Sequence, residues 1–166
     1  MNLTPICDIF RRTDTFTSIA HAVKSVEPGK PLLIEGIAPS SFPLITAALF
    51  DEFGVPIVYV TDSFEKMSEA RLDLTSMINE SRVSMFPPWE TIPYEFISPS
   101  ESTERERIAT LYRIMRGDPI LLVTTVEAIM RRIPARSFYE TREIRLETGK
   151  EYSFDGLIEL LISYRI

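Results

Sequence analysis

Residues 31–43 have the position of a phosphate-binding loop but not its residue types. A short predicted strand over residues 31–36 is followed by a loop and a predicted helix. The motif Gly-x-x-x-x-Gly-Lys-Ser/Thr uses glycines for close backbone approach, lysine for the phosphates and a hydroxyl for magnesium. With its first glycine at Gly36, the other positions hold Ser41, Phe42 and Pro43. Phenylalanine cannot neutralise phosphate, and proline offers neither a hydroxyl nor an N–H. We therefore predict a degenerate loop that binds no cofactor.

Other residues give no stronger indication of catalysis. A variant phosphate site made by Ser40, Ser41 and the helix dipole is an alternative, and a serine-capped helix is the simpler interpretation. Glu127 could imitate a magnesium-binding acid after a strand, but Thr124 and Glu127 also have capping-box spacing. No paired carboxylates, lysine base or Ser-His-Asp set can be assembled, and the single histidine lies in a predicted helix. We predict that the chain is not an enzyme and holds no metal.

The composition is that of a globular protein with one domain, or one domain and part of a second. The chain has 166 residues, of which 45% are hydrophobic and 25% are charged. Its net charge of −6 is unlike the basic excess of dedicated nucleic-acid-binding modules. The only cysteine, Cys7, allows no internal disulfide and fits a reducing compartment. The sequence shows no signal peptide and no membrane span, so we expect a cytoplasmic protein without membrane contact.

Predicted strands and helices alternate along most of the chain. The strands are predicted at residues 31–36, 56–60, 83–86 and 120–124, with helices between them. This order indicates an α/β fold with a mostly parallel sheet and flanking helices. After Pro134 the pattern changes to a half-exposed strand near residues 141–148 and a helix that opens at Ser153. We predict one α/β unit over residues 1–133 and the beginning of a smaller unit over residues 134–166.

A proline- and aromatic-rich loop is the most distinctive segment. It begins at Phe86 and includes Trp89 and Tyr94, with three prolines that stiffen it. The aromatic rings supply a large apolar area with polar atoms at their tips. We interpret the loop as a rigid crossover that covers the end of the sheet. A surface that contacts protein or nucleic acid is the alternative.

Arginines are concentrated in two places after this loop. The helix that opens at Ser98 mixes arginine with glutamate, including Arg105, Arg107 and Arg113, and we interpret this mixture as a solvated face with helical ion pairs. Its apolar residues, from Ile108 to Met115, are predicted to face the core. A second cluster is our candidate interaction surface: Arg131, Arg132, Arg136, Arg142 and Arg145. This cluster could bind an acidic partner or a phosphate. The simpler interpretation is that its arginines cap the C-terminus of a helix. A third hypothesis is direct DNA binding through the helix that opens at Ser98 and through Arg131–Arg132. The acidic net charge of the chain argues against it.

Taken together, several segments resemble the N-terminal region of the bacterial transcription-repair coupling factors (Mfd). The most specific is the string Trp89, Glu90, Thr91, Ile92, Pro93 and Tyr94. It is followed at similar spacing by matching segments at residues 97–100, 106–111, 122–132 and 149–151. The resemblance is strong from about residue 83 onward and is mainly one of pattern before it.

The resemblance implies both a fold and a role. In the family, this region is a degenerate helicase-like domain similar to UvrB, expected here over residues 1–133, which does not bind ATP. A small domain that docks UvrA follows it, and residues 134–166 would be its first part. The parent protein is an ATP-dependent DNA translocase that displaces stalled RNA polymerase and recruits excision repair. The motor and the polymerase-binding domain are not in this chain, and the UvrA-contacting arginine segment is expected just after Ile166. The resemblance therefore implies a non-catalytic scaffold with UvrA and the other parent domains as partners.

Overall fold

A computed structural model gives the fold. It describes residues 3–89, 100–141, 144 and 146–163. The chain divides into two compact units, Met1–Arg131 and Arg132–Ile166. Their assignment to a helicase-like domain and a docking domain stays a prediction.

The first unit alternates helices with three strands. Its elements are α1 Thr4–Arg11, α2 Asp14–Ser25, α3 Phe42–Phe53, β1 Ile57–Thr61, α4 Phe64–Met77, β2 Val83–Phe86, α5 Glu101–Arg116, β3 Leu121–Thr125 and α6 Val126–Met130. Short 3-10 helices precede α3 at Pro39–Ser41 and β2 at Glu80–Arg82. The second unit contains α7 Arg136–Glu140 and α8 Phe154–Ser163.

The three strands form a parallel sheet in the order β1-β3-β2. Leu121 of β3 is in register with Ile57 of β1 on one side and with Val83 of β2 on the other. The predicted α/β class and the predicted strands at residues 56–60, 83–86 and 120–124 are therefore confirmed. Helix α4 connects β1 to β2 and helix α5 connects β2 to β3, and parallel strands require crossovers of this kind.

The predicted strand at residues 31–36 is wrong. This segment has no regular secondary structure and pairs with no described strand, and Leu33 is 78% exposed. A strand is stable only when a neighbouring strand takes its hydrogen bonds, and local composition cannot supply that neighbour. The described residues between 141 and 148 are not in a strand either.

One face of the sheet carries the main core. Helices α1, α3 and α4 pack here, and the fully buried side chains include Cys7, Phe50, Met67, Leu74, Leu121 and Val123. Burial raises the pKa of the Cys7 thiol, and Asp51 adds to this effect. Cys7 is thus a small core residue in this structure.

Side-chain hydroxyls cap α4 and α6, and the cap of α6 lies one residue after the predicted one. Ser63 caps α4 by accepting the Lys66 N–H at 3.3 Å. Thr125 caps α6 by accepting the Ala128 N–H at 3.1 Å. The predicted cap, Thr124, lies inside β3, and its hydroxyl donates to the Phe86 carbonyl at 2.8 Å. A cap must sit where the strand has ended, so tertiary hydrogen bonding decides which hydroxyl serves.

Candidate interaction site

The start of α3 occupies the position predicted for the degenerate loop. Gly36 has φ of +76°, and the 3-10 helix Pro39–Ser41 leads directly into α3. Ser41 is the N-cap residue, but its side chain makes no capping hydrogen bond, so the predicted serine cap is wrong. The reason is that Ser41 has helical dihedrals, with φ −89° and ψ −12°, instead of the extended backbone of a serine cap.

A cavity of about 560 Å³ lies beside the carboxyl end of β1. We call it the β1 groove. Its apolar surface comes from Phe42 and Pro43 at the start of α3 and from Tyr59 and Val60 of β1. Its polar wall is one face of α4, with Lys66, Glu69 and Asp73, together with Asp62. In parallel α/β sheets ligands bind at the carboxyl ends of strands, so this is the natural place to look for a site.

The charges of the β1 groove are predominantly acidic. Asp62 accepts a hydrogen bond from Lys66 at 2.6 Å, which lowers the pKa of Asp62 and raises the pKa of Lys66. Burial, and then the charge of Asp73, raise the pKa of Tyr59. Three carboxylates therefore face one ammonium group that is already paired. Such a site attracts cations and repels phosphate.

Within the aromatic-proline loop, the structure describes the residues up to Trp89. The Arg107 guanidinium lies 3.8 Å from the centre of the Phe86 ring and 4.4 Å from that of Trp89. It also donates a hydrogen bond to the carbonyl of Pro87. The start of the loop is thus fixed to α5 by one cation that lies against two aromatic rings. Glu90, Thr91, Pro93 and Tyr94 lie outside the described residues.

The predicted solvated face of α5 is only partly correct. Arg105 forms the expected helical ion pair with Glu101 at 2.8 Å. Arg107, however, is only 3% exposed, and Ile108 of the predicted core face is exposed. The buried face of α5 is polar instead, and its members are Thr103, Arg107 and Thr110.

Polar residues of α5 cover the outer edge of β2. Thr110 Oγ1 donates to the Met85 carbonyl at 2.5 Å. Arg113 donates to Ser84 Oγ and to the Ser81 carbonyl, both at 2.6 Å. An edge strand has carbonyls that need donors, which explains why this helix face is polar. The sequence does contain a signal for this buried face, because hydrogen-bond donors recur every three residues at positions 107, 110 and 113. A periodicity of apolar residues does not reveal it.

The candidate arginine surface is divided between the two units. Arg131, at the end of α6, pairs with Glu127 at 3.1 Å, and Arg136 of α7 pairs with Glu140 at 2.6 Å. Arg132 is exposed and has no ion-pair partner in the described part of the chain. Arg142 and Arg145 lie outside the described residues. That these arginines act as one surface stays a prediction.

In the described ranges, no group of three or more His, Cys, Asp or Glu residues is placed to hold a metal ion. No helix among the same residues is long and apolar enough to cross a membrane.

Comparison with known proteins points to one family. No family model matches the chain. The transcription-repair-coupling factor of Bacillus subtilis is 26% identical over 152 residues, which is 92% of this chain and 13% of the relative. The proteins of the same name from Mycobacterium bovis and Escherichia coli are 28% and 23% identical and match 81% and 80% of this chain. The chain spans 11% of the length of each of these two relatives. The predicted resemblance to a segment of these proteins is confirmed.

Proposed function

We propose that this chain is a non-catalytic interaction and scaffold module of a transcription-repair coupling factor. In this role it serves transcription-coupled excision repair by helping to recruit UvrA and by restraining the DNA translocase of the longer protein. The observation that carries the proposal is the similarity to transcription-repair-coupling factors over 80–92% of the chain. Since the chain covers a small part of those relatives, the translocase activity and its RNA polymerase and DNA contacts belong to other segments in this proposal.

The residues around the β1 groove support a role without nucleotide chemistry. Phe42 and Pro43 stand where a phosphate loop needs a cation and a hydroxyl. Among the residues that line the groove, Lys66 is the only lysine or arginine, and it is paired with Asp62. Glu69 and Asp73 add negative charge on the same side. Triphosphate binding here would bring like charges together without a compensating cation.

Recognition of a partner by the protein surface is the proposed mechanism. The main core and the Arg107 stack hold the helices and strands in fixed positions, so exposed side chains can be presented with little loss of freedom on binding. Arg132 is the first candidate contact, because it is exposed and unpaired within the described residues. Calorimetric titration with UvrA is the direct test of recruitment.

Titration with a fluorescent ATP analogue tests whether the module binds nucleotide. We expect no saturable, magnesium-dependent binding in the micromolar range, because the groove repels phosphate. The matched control is Lys66→Ala, which removes the one cation that lines the groove. Saturable micromolar binding that disappears in Lys66→Ala would contradict the proposal and favour a nucleotide-using enzyme with a variant phosphate loop.

A further inference from the structure

We infer that the outer edge of β1, together with the β1 groove, binds an extended peptide segment of alternating apolar and basic residues as an added strand of the sheet. This inference concerns an interaction surface of the first unit. It does not depend on the assignment to a coupling factor.

The backbone of β1 has a row of hydrogen-bonding groups that face away from the sheet. Ile57 N–H donates to the carbonyl of Ile120, the residue directly before β3, at 3.2 Å. In a parallel pair, alternate residues point to the same neighbour, so Tyr59 and Thr61 also face β3. The N–H and C=O groups of Val58 and Val60 therefore point outward. Within the described ranges, no other strand or backbone group pairs with them.

The opposite edge of the same sheet shows how such groups are satisfied in this protein. At β2, the Met85 carbonyl accepts from Thr110, and the Val83 carbonyl accepts from Arg113 at 3.4 Å. The Pro87 carbonyl accepts from Arg107. These three carbonyls belong to alternate residues, as expected for one edge of a strand. The edge of β1 has no comparable cover in the described part of the chain.

The side chains of β1 favour pairing and do not protect its edge. Val58 is 55% exposed and Val60 is 47% exposed. The strand reads Ile-Val-Tyr-Val-Thr, without the lysine or proline that normally protects an open edge. Exposed edges of this type bind extended peptides by main-chain hydrogen bonds, with pockets that select alternate side chains.

The β1 groove lies at this open edge. Tyr59 and Val60 both line the cavity although consecutive strand residues point to opposite faces, and we therefore infer that it lies beside the strand. No residue of β3 lines it, which places it on the side away from the sheet. A peptide paired with β1 would therefore lie along the groove.

The charge of the groove selects the occupant. Glu69 and Asp73 lie four residues apart on one face of α4 and form no ion pair among the described residues, whereas Asp62 is engaged with Lys66. A lysine or arginine side chain of the peptide would meet these two carboxylates. A second copy of this chain is disfavoured, because pairing two β1 edges would bring two acidic grooves together.

Fluorescence anisotropy with a labelled synthetic peptide tests the inference on the 166-residue chain. The probe is a capped heptapeptide of alternating lysine and valine, and the control probe replaces each lysine by glutamate. We expect saturable binding of the lysine peptide, no binding of the glutamate peptide, and weaker binding as salt is added. Absence of binding, or equal binding of both peptides, would overturn the inference.

Two kinds of variant identify the surface. Val60→Pro removes an outward N–H but leaves the β1–β3 hydrogen bonds, and we expect at least tenfold weaker binding. The double variant Glu69→Gln, Asp73→Asn keeps the backbone intact and is expected to bind about tenfold more weakly. Glu65→Gln, on the same helix but outside the groove, is the matched control and should bind like the parent chain.

The charge variants keep the test decisive if Val60→Pro does not fold. Unchanged affinity in the double variant contradicts the acidic selection, and unchanged affinity in a folded Val60→Pro contradicts strand addition. Sedimentation velocity is measured in parallel. Self-association that Val60→Pro abolishes, without peptide binding, would assign the edge to a second copy and overturn the inference.

Discussion

Replacing Leu74 by alanine should lower the free energy of unfolding by about 2–5 kcal/mol. Leu74 lies on the face of α4 that packs into the main core and is 0% exposed. Its truncation removes buried methyl groups and leaves a cavity that the close-packed neighbours cannot fill without strain. Urea denaturation followed by circular dichroism gives the free energy directly.

Leu72→Ala is the matched control for this prediction. Leu72 is on the same helix two residues earlier and is 70% exposed, so its loss should be within about 0.5 kcal/mol. The pair tests the rotation of α4 about its axis, which also places Glu69 and Asp73 in the β1 groove. Equal losses in the two variants would mean that the helix faces the core differently and that the groove is not lined as described.

Replacing Arg107 by methionine should destabilise the first unit by about 2–4 kcal/mol. Methionine keeps much of the side-chain volume but removes the guanidinium that contacts Phe86 and Trp89. It also leaves the carbonyl of Pro87, a buried residue, without this donor. A lost charge-assisted hydrogen bond and a lost desolvated cation–π contact together account for this magnitude. The loss is measured by urea denaturation, as for Leu74.

Arg105→Met provides the comparison on the same helix. Its side chain is exposed and makes a surface ion pair with Glu101, so we expect a change of less than about 0.5 kcal/mol. Trp89 is the only tryptophan, and its emission should shift in Arg107→Met but not in Arg105→Met. A difference of less than about 0.5 kcal/mol between the two variants, with the same emission, would contradict the buried stack.

Local sequence patterns predicted most of the first unit because its strands are short runs of β-branched and apolar residues. The same reasoning was wrong at residues 31–36, where the composition suits a strand but no described strand pairs with it. Pairing depends on residues far away in sequence, so a local window cannot supply it. The shift of the α6 cap to Thr125 has a related cause, because Thr124 is occupied by a hydrogen bond to Phe86.

The candidate site was only partly accessible from the sequence. The absence of phosphate-binding residue types at Phe42 and Pro43 could be read directly, because that motif is local. The acidic wall of the groove could not be predicted from the sequence, because only the packing of α4 brings Glu69 and Asp73 beside β1. The polar face of α5 was not predicted, because apolar residues were expected to form the buried face of this helix. Arg107 is instead buried against aromatic rings.

The proposed function is tested most directly by calorimetric titration of UvrA into two chains. One is the 166-residue chain, and the other is a longer chain that also contains the whole of the proposed docking domain. We predict saturable binding by the extended chain. Equal binding by the shorter chain would place the contact within residues 1–166 and make Arg132 the first residue to replace. If UvrA binds neither chain, the proposed role in UvrA recruitment is contradicted.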